Sequence, residues 1–189
     1  PWRSAAAVCW ELGRDCPIGV PDPIVRNAWE RRVNSPQSSA AGRLFDAASA
    51  ILLGLGETSF EGQGPMWLEA IAHDPVAFPR LGLQSTAEGR LELDWAPLVD
   101  WLLQAPPTTT ADRANRAGAV HASLADGIVQ VSERLRDQSG SSIVGVTGGV
   151  FQNRRLTEAA LAGLSARGFD VLLPVQLPCN DGGLSYGQV

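Results

Sequence analysis

Apolar residues recur at helical spacing along most of this chain, which predicts a helix-rich first two thirds. A first helix is predicted over residues 2–12, because this segment is rich in helix formers and ends at Gly13, a candidate C-cap. A second helix is predicted from Asp22, with Pro23 at its first helical position, to about Val33. A polar, serine-rich loop follows.

The clearest periodicity belongs to a long helix that follows Pro106-Pro107 and takes its N-cap from Thr108 to Thr110. Its apolar positions keep to one helical face for about five turns. Shorter elements are predicted before it. These are a helix from Gly42 to the Gly54-Leu55-Gly56 break, a helix from Pro65 to about Ile71, a hairpin over 81–94 that turns at Glu88-Gly89, and a helix from Trp95 to Leu103.

The period of the pattern changes in the last third of the chain. A short buried strand is predicted over Ile143-Val144-Gly145-Val146, a helix from Asn153 to Arg167, and a second strand from Phe169 to Leu173. The order strand, tight turn, helix, strand is a βαβ unit, whose two strands pair in parallel through a right-handed crossover. The fold class is therefore α/β, with many helices before a βαβ unit.

Composition narrows the class of protein. A chain of 189 residues with 44% hydrophobic residues can bury an ordinary core, in one domain or two small lobes. The net charge of -5 gives no electrostatic footprint for nucleic acid or an anionic membrane, and no run approaches about 18 apolar residues. The three cysteines lack Cys-x-x-Cys spacing, which argues against a disulfide framework and a self-contained zinc site. We expect a cytoplasmic protein without nucleic-acid or membrane partners.

Two glycine-containing loops carry the candidate chemistry. Gly148-Gly149 follow a strand and precede a helix, where backbone N–H groups favour a phosphate; alternatively, the turn only needs a glycine with positive φ. Asn153 either binds a ligand or caps the helix. Asp181 precedes two glycines and either projects its carboxylate toward a metal or forms an Asx turn or N-cap. Together the two loops predict one site.

Other candidate groups are fewer and less specific. Asp46 and Glu61 are candidates to accept hydrogen bonds from ribose hydroxyls, although solvated or helix-terminal acids are common. His73 and His121 lie on separate predicted helices without metal-binding spacing, so any complete metal site would need ligands from outside this chain. No Ser/His/Asp order is visible, and no catalytic residue is assigned.

Four strings of this sequence resemble, in order and spacing, the C-terminal part of the HypF carbamoyltransferases, which mature [NiFe]-hydrogenases. The resemblance covers the whole chain, residues 1–189. It implies the C-terminal part of a carbamoyltransferase domain with an actin/Hsp70/sugar-kinase-like fold, and a fragment of a longer chain. The strings are Ser-Ser-Ala-Ala-Gly-Arg-Leu-Phe-Asp-Ala (38–47), Phe-Glu-Gly-Gln (60–63), Thr-Gly-Gly-Val-Phe-Gln-Asn-Arg (147–154) and Asn-Asp-Gly-Gly-Leu-Ser-Tyr-Gly-Gln (180–188).

The resemblance also implies a reaction. Carbamate released from carbamoyl phosphate reacts with ATP to give carbamoyl-AMP, and the carbamoyl group passes to the C-terminal cysteine of a HypE-like acceptor protein, for cyanide ligand synthesis. The implied cofactors are ATP with Mg and a divalent metal, zinc or iron. The alternatives are an O-carbamoyltransferase of antibiotic tailoring, which transfers the group to a hydroxyl, and a non-catalytic half-domain that only docks to its partner.

Residue by residue, the resemblance implies that Gly148-Gly149-Val150 hold the nucleotide phosphates, with Asn153 near them. Gly42, Asp46 and Glu61 would lie at the nucleotide, the two acids near its ribose. Asp181 would bind the metal together with two histidines of a His-x-x-x-His motif that this chain lacks, so the chain alone is expected to be inactive. The sequence departs from the family pattern at four positions: Ala40 for Ser, Phe60 for Tyr, Thr147 for Ser and Cys179 for Pro, the last a thiol that could bind metal, be oxidised or simply pack.

Overall fold

The computed structural model describes residues 1–19 and 23–188. They form two compact units, Pro1–Asp74 with Val99–Ala117, and Pro75–Leu98 with Gly118–Val189. The regular elements are α1 (Trp2–Glu11), α2 (Pro23–Glu30), α3 (Ala41–Leu53), α4 (Gln63–Ile71), β1 (Gly82–Ser85), β2 (Leu91–Asp94), α5 (Ala96–Leu103), α6 (Thr110–Ser139), β3 (Ile143–Gly145), α7 (Arg154–Ser165), β4 (Asp170–Leu172) and α8 (Leu184–Gly187), with 3-10 turns at Gly149–Gln152 and Asp181–Gly183.

The first unit packs α1 and α4 against α3 through small residues. Three alanines are fully buried where α1 meets α3, namely Ala5, Ala47 and Ala50. Their small side chains let the two helix backbones approach closely. Gly64 of α4 serves the same purpose against Ser49 of α3, since a Cβ atom at Gly64 would overlap Ser49 Oγ and lie 3.1 Å from Ser49 Cβ. This tight packing fixes α3, the helix that carries Asp46.

The second unit contains both sheets. β1 and β2 form an antiparallel hairpin, and β3 and β4 pair in parallel with Val144 opposite Val171. α7 packs on α6 at Gly163, where a Cβ atom would lie 2.9 Å from Val129 Cγ2. Val129 belongs to the small core under the parallel sheet, together with Leu164 and Phe169. The parallel sheet is therefore covered on one side by α6 and α7.

The α/β class and the βαβ unit are confirmed, and most predicted elements lie within two residues of the observed ones. The predicted start of α2 at Asp22 lies outside the described residues. Its predicted end at Val33 is wrong, because Arg32 and Asn34 adopt φ values of 56° and 50° and the helix ends at Glu30. Residues in the left-handed conformation interrupt the hydrogen bonds of a helix. Helix propensities do not predict this conformation at residues other than glycine.

The expectation that β3 is a buried strand is also wrong for the described structure. Ile143 is 61% exposed and Leu172, on the neighbouring strand, is 56% exposed. The alternation explains this, since Val144 and Val171 face the core and the residues beside them point to the opposite face. A run of apolar residues alone does not show whether one face or both faces of a strand are buried.

Candidate functional site

The two glycine-containing loops of the second unit meet backbone to backbone. We call residues 146–149 the Gly148 loop and residues 177–183 the Asp181 loop. The N–H of Gly148 donates a hydrogen bond of 2.6 Å to the carbonyl oxygen of Cys179, and Thr147 Oγ1 lies 3.5 Å from the same oxygen. The expectation that these loops lie together is confirmed.

The two glycines of the Gly148 loop have different reasons to be glycine. Gly148 has φ 108° and ψ 155°, a backbone conformation that residues with a side chain rarely adopt. Gly149 has no positive φ, and an added Cβ atom would meet only Asn180 Cβ, at 3.9 Å. The fold therefore requires glycine at 148, whereas at 149 a side chain would fit and its absence leaves the peptide open to a ligand.

A short 3-10 turn lies between this loop and the next helix, which begins within one residue of its predicted start. A 3-10 turn, Gly149–Gln152, separates Gly148 from α7 and includes Val150, which is half-buried. Asn153 is the N-cap of α7, and its Oδ1 accepts a hydrogen bond of 2.9 Å from the N–H of Leu156. The capping alternative for Asn153 is thus confirmed, and a contact with a ligand stays a prediction.

The other end of the Asn153 amide contacts a buried histidine. Nδ2 of Asn153 lies 3.0 Å from Nε2 of His121 on α6, and His121 is 1% exposed. Because Oδ1 is fixed by the cap, Nδ2 is the donor and Nε2 the acceptor, so the proton of the neutral ring is on Nδ1. Sequence reasoning placed His121 beside the apolar stripe of α6 but gave no signal for this pairing.

Asp181 leaves the capping role to its neighbour. Oδ1 of Asn180 accepts a hydrogen bond of 3.0 Å from the N–H of Gly182, so Asn180 caps the 3-10 turn and the alternative in which Asp181 is the cap is wrong. Asp181 is exposed. Within residues 1–19 and 23–188, its carboxylate makes no hydrogen bond or ion pair. The carboxylate is therefore available to a ligand.

The glycines after Asp181 have a local structural reason. A Cβ atom on Gly183 would lie 2.9 Å from the carbonyl oxygen of Pro178, and one on Gly182 would lie 3.0 Å from Asn180 Oδ1. Both glycines let the Asp181 loop fold back on itself. Local packing therefore explains the two glycines without a ligand. It does not explain the exposed carboxylate of Asp181.

Metal binding needs more donors than Asp181 offers. No three histidine, cysteine, aspartate or glutamate side chains cluster for a metal in the part of the chain that the structure describes. A single free carboxylate fits one ligand position of a divalent cation. The arrangement agrees with a site that takes its remaining ligands from elsewhere, which stays a prediction.

Asp46 and Glu61 come together in the first unit. Asp46 Oδ2 pairs with Arg43 at 3.0 Å, and its side chain is 16% exposed. Burial raises the pKa of the Asp46 carboxyl, the charge of Arg43 opposes this, and the nearby Glu61 adds to the rise. At Gly42, one turn before Asp46, an added Cβ atom would meet nothing within 4 Å. Two acids and an unobstructed glycine therefore share one region of this unit.

No helix among the described residues combines the length and apolarity that crossing a bilayer requires.

Comparison with known proteins gives one consistent family. Residues 1–188 match the family model described as "Carbamoyltransferase, Kae1-like Domain, second subdomain". The chain is 35% identical over 195 residues to the carbamoyltransferase HypF of Rhodobacter capsulatus, covering all of this chain and 25% of that protein. It is 34% identical over 201 residues to a HypF homolog of Cupriavidus necator, covering all of this chain and 51% of that protein. The chain thus spans between a quarter and a half of these relatives.

Solved structures support the same fold. A crystal structure of full-length HypF in its phosphate- and nucleotide-bound form matches 99% of this chain with a TM-score of 0.83 and 24% identity, over 25% of its own length. The structure of HypF from T. kodakarensis matches 87% of this chain with a TM-score of 0.67 and 23% identity. At this identity the likeness is one of fold.

Proposed function

This chain belongs to the HypF carbamoyltransferase family, and we propose that it supplies part of an ATP-dependent carbamoyl-transfer site within a longer protein. In the proposed reaction a carbamate oxygen attacks the α-phosphorus of ATP, which forms carbamoyl-AMP and releases pyrophosphate. The thiolate of a C-terminal cysteine on a HypE-like acceptor then attacks the carbamoyl carbon and releases AMP. The product would serve cyanide ligand synthesis for [NiFe]-hydrogenases, in the cytoplasm.

Phosphate binding is assigned to the Gly148 loop. The observation that carries this assignment is the open face of Gly149, where neither φ nor packing demands a glycine. A ligand oxygen can approach the peptide N–H groups at 149 and 150 without meeting a side chain at 149. The hydrogen bond from Gly148 to Cys179 holds these N–H groups in place. Donors held in place in this way would stabilise the negative charge that develops on the phosphate oxygens in the transition state.

Asp181 is proposed as one ligand of a divalent metal, zinc or iron, with Mg accompanying ATP. When bound, such a cation neutralises negative charge on phosphate and carbamoyl oxygens. The support from this chain is that Asn180 caps the turn and leaves the Asp181 carboxylate free among the described residues. Asn153 keeps the first turn of α7 in place behind the Gly148 loop.

Gly42, Asp46 and Glu61 are proposed to face the ribose and its nucleotide. Partial burial removes water from the Asp46 carboxylate and so destabilises its ionised form. A hydrogen bond from a ribose hydroxyl would offset part of this desolvation cost. The finer architecture that we propose is one lobe of an actin/Hsp70/sugar-kinase-like domain, in which a second lobe completes the nucleotide cleft. On this view the chain alone is inactive.

The test of the phosphate assignment is Gly149→Val in the full-length protein, assayed by exchange of labelled pyrophosphate into ATP in the presence of carbamoyl phosphate. A branched side chain at 149 would occupy the space of the phosphate, so exchange should fall at least about a hundredfold. Ala162→Val, which places the same valine side chain at an exposed position of α7, is the matched control and should retain exchange.

The outcome separates two functions. Wild-type exchange in a folded Gly149→Val protein would remove the phosphate role and favour the non-catalytic docking half-domain. Exchange that depends on carbamoyl phosphate, but with transfer to a hydroxyl compound in place of an acceptor cysteine, would favour the antibiotic-tailoring type of reaction.

A further inference from the structure

Two cysteines that are seven positions apart in the sequence have their thiols in contact in the first unit. Cys9 lies in α1 and is fully buried, and Cys16 lies in the loop after it and is half-buried. The chain turns back at Gly13, whose φ is 64°, and the N–H of Arg14 bonds the carbonyl oxygen of Cys9 at 2.8 Å. This return places the Cys16 side chain against the cluster of Ala5, one helical turn before Cys9 on α1, within reach of a hydrogen bond between the two thiols.

The two thiols differ in accessibility. Cys16 lines an open cavity of about 260 Å³ with Trp10, Asp15, Pro23 and Arg26, so a small molecule can approach its sulfur. The other side of Cys16 packs against the alanine cluster of α1 and α3. Cys9 has no exposed surface, and an approaching reagent meets Cys16 first.

The hydrogen bond also makes the two thiols chemically different. The S–H of Cys9 donates to the sulfur of Cys16, which lowers the pKa of Cys16 to about 7, against the effect of burial and with help from the backbone at Ile18. The same contact, together with burial, raises the pKa of Cys9. The charged neighbours of Cys16 in the cavity, Asp15 and Arg26, are of opposite sign. Because Cys16 also faces the cavity while Cys9 is fully buried, Cys16 is the nucleophile of the pair.

We propose that Cys9 and Cys16 are a reversible thiol–disulfide site, with Cys16 as the attacking thiol and Cys9 as the resolving thiol. The oxidant is a low-molecular-weight disulfide such as oxidised glutathione. The Cys16 thiolate attacks one of its sulfurs, breaks the S–S bond and releases one glutathione thiolate, which leaves a mixed disulfide on Cys16. Cys9 then loses its proton, attacks the Cys16 sulfur and releases the second glutathione, so that two protein thiols are oxidised and one disulfide is reduced.

The loop carries the movement that bond formation needs. The sulfurs must close from hydrogen-bond contact to a bond of about 2 Å, and Cys16 lies between α1 and α2, outside any helix, while Cys9 is held in α1. The bond would join the return segment after Gly13 to α1. In a reducing compartment such a pair is oxidised only transiently, as regulatory disulfides are.

The test uses the full-length protein, equilibrated in glutathione buffers of increasing oxidised fraction, quenched with an alkylating reagent and digested with trypsin without reduction. Arg14 separates the two cysteines, so a disulfide appears in the mass spectrum as a cross-link between peptide 4–14 and peptide 15–26. We expect this cross-link in the wild-type protein, its loss on adding dithiothreitol, and its retention in Cys179→Ser, the matched control.

The variants identify the order of attack. In Cys9→Ala, Cys16 should carry a stable glutathione adduct, and in Cys16→Ala, Cys9 should stay unmodified. The rate at which iodoacetamide labels Cys16 should level off above pH about 7, as its pKa requires. A wild-type protein in which Cys16 accumulates glutathione without a cross-link, in which Cys9 is labelled as fast as Cys16, or in which neither reacts would overturn the proposal, whether or not the variants fold.

Discussion

Nδ2 of Asn153 donates a hydrogen bond of 3.0 Å to Nε2 of His121, and the same asparagine caps α7 through Oδ1. One side chain thus joins the start of α7 to the middle of α6. The 3-10 turn Gly149–Gln152 connects the Gly148 loop to this junction, because the turn runs directly into Asn153. The position of the loop depends on a polar contact that is almost fully buried.

Asn153→Ala is expected to destabilise the start of α7. The variant loses the cap, which contributes about 1 kcal/mol, and it removes a donor from the buried His121 ring, which adds about 1–3 kcal/mol. Hydrogen exchange of the α7 amides in the full-length protein measures this. Asn153→Asp keeps the capping oxygen but not the donor, so it should recover part of the loss, and Glu158→Gln, at an exposed ion pair, should stay within about 0.5 kcal/mol of wild type. Equal protection in wild type and Asn153→Ala would show that the junction does not hold the helix.

The two glycines of the Gly148 loop should respond differently to alanine. Gly148→Ala forces a side chain into φ 108°, ψ 155° and should cost about 1–3 kcal/mol, whereas Gly149→Ala should stay within about 1 kcal/mol of wild type. The same hydrogen-exchange measurement distinguishes them. A larger loss at Gly149 than at Gly148 would mean that packing, and not a ligand, explains the second glycine.

Asp46→Asn should make the first unit more stable at neutral pH. Burial raises the pKa of Asp46, so the folded state holds the proton more tightly than the unfolded state, and the ionised carboxylate weakens folding once the pH exceeds its folded pKa. The gain should be present near pH 7 and should vanish as the pH falls below the ordinary carboxyl pKa of 3.8, where both forms are neutral. Loss of the Arg43 pair reduces the gain. Thermal denaturation of wild type and variant at several pH values tests this. A stability difference, variant minus wild type, that is smaller at pH 7 than at pH 3 would contradict the prediction.

The sequence predicted those elements whose signals are local. The stripe of α6, the strand–helix–strand order and the glycine at the end of α3 each follow from periodicity or a single residue type. The meeting of the two loops was also predicted, because both follow apolar segments at the carboxyl end of a βαβ unit.

The features that the sequence did not predict are contacts between polar groups that are distant in the chain or compete for one partner. His121 and Asn153 are 32 positions apart and carry no shared pattern, and the Cys9 and Cys16 thiols meet only because the chain reverses at Gly13. Asn180 and Asp181 are both good caps, so sequence alone could not decide which one takes the amide of Gly182. In each case the backbone path decides the partner.

The central claim is that the free carboxylate of Asp181 binds a divalent metal needed for adenylate formation. The measurement is Asp181→Asn in the full-length protein, with metal content, carbamoyl-AMP formation and carbamoyl-phosphate hydrolysis determined on one preparation. Because Asn180 supplies the cap, the loop should fold normally in the variant. Outer-shell partners of a metal site already contribute about 10- to 100-fold, so loss of a ligand should lower metal content and reduce adenylation at least about a hundredfold, while hydrolysis continues. Full metal occupancy with normal adenylation in Asp181→Asn would contradict the claim and leave this aspartate as a surface residue of the loop.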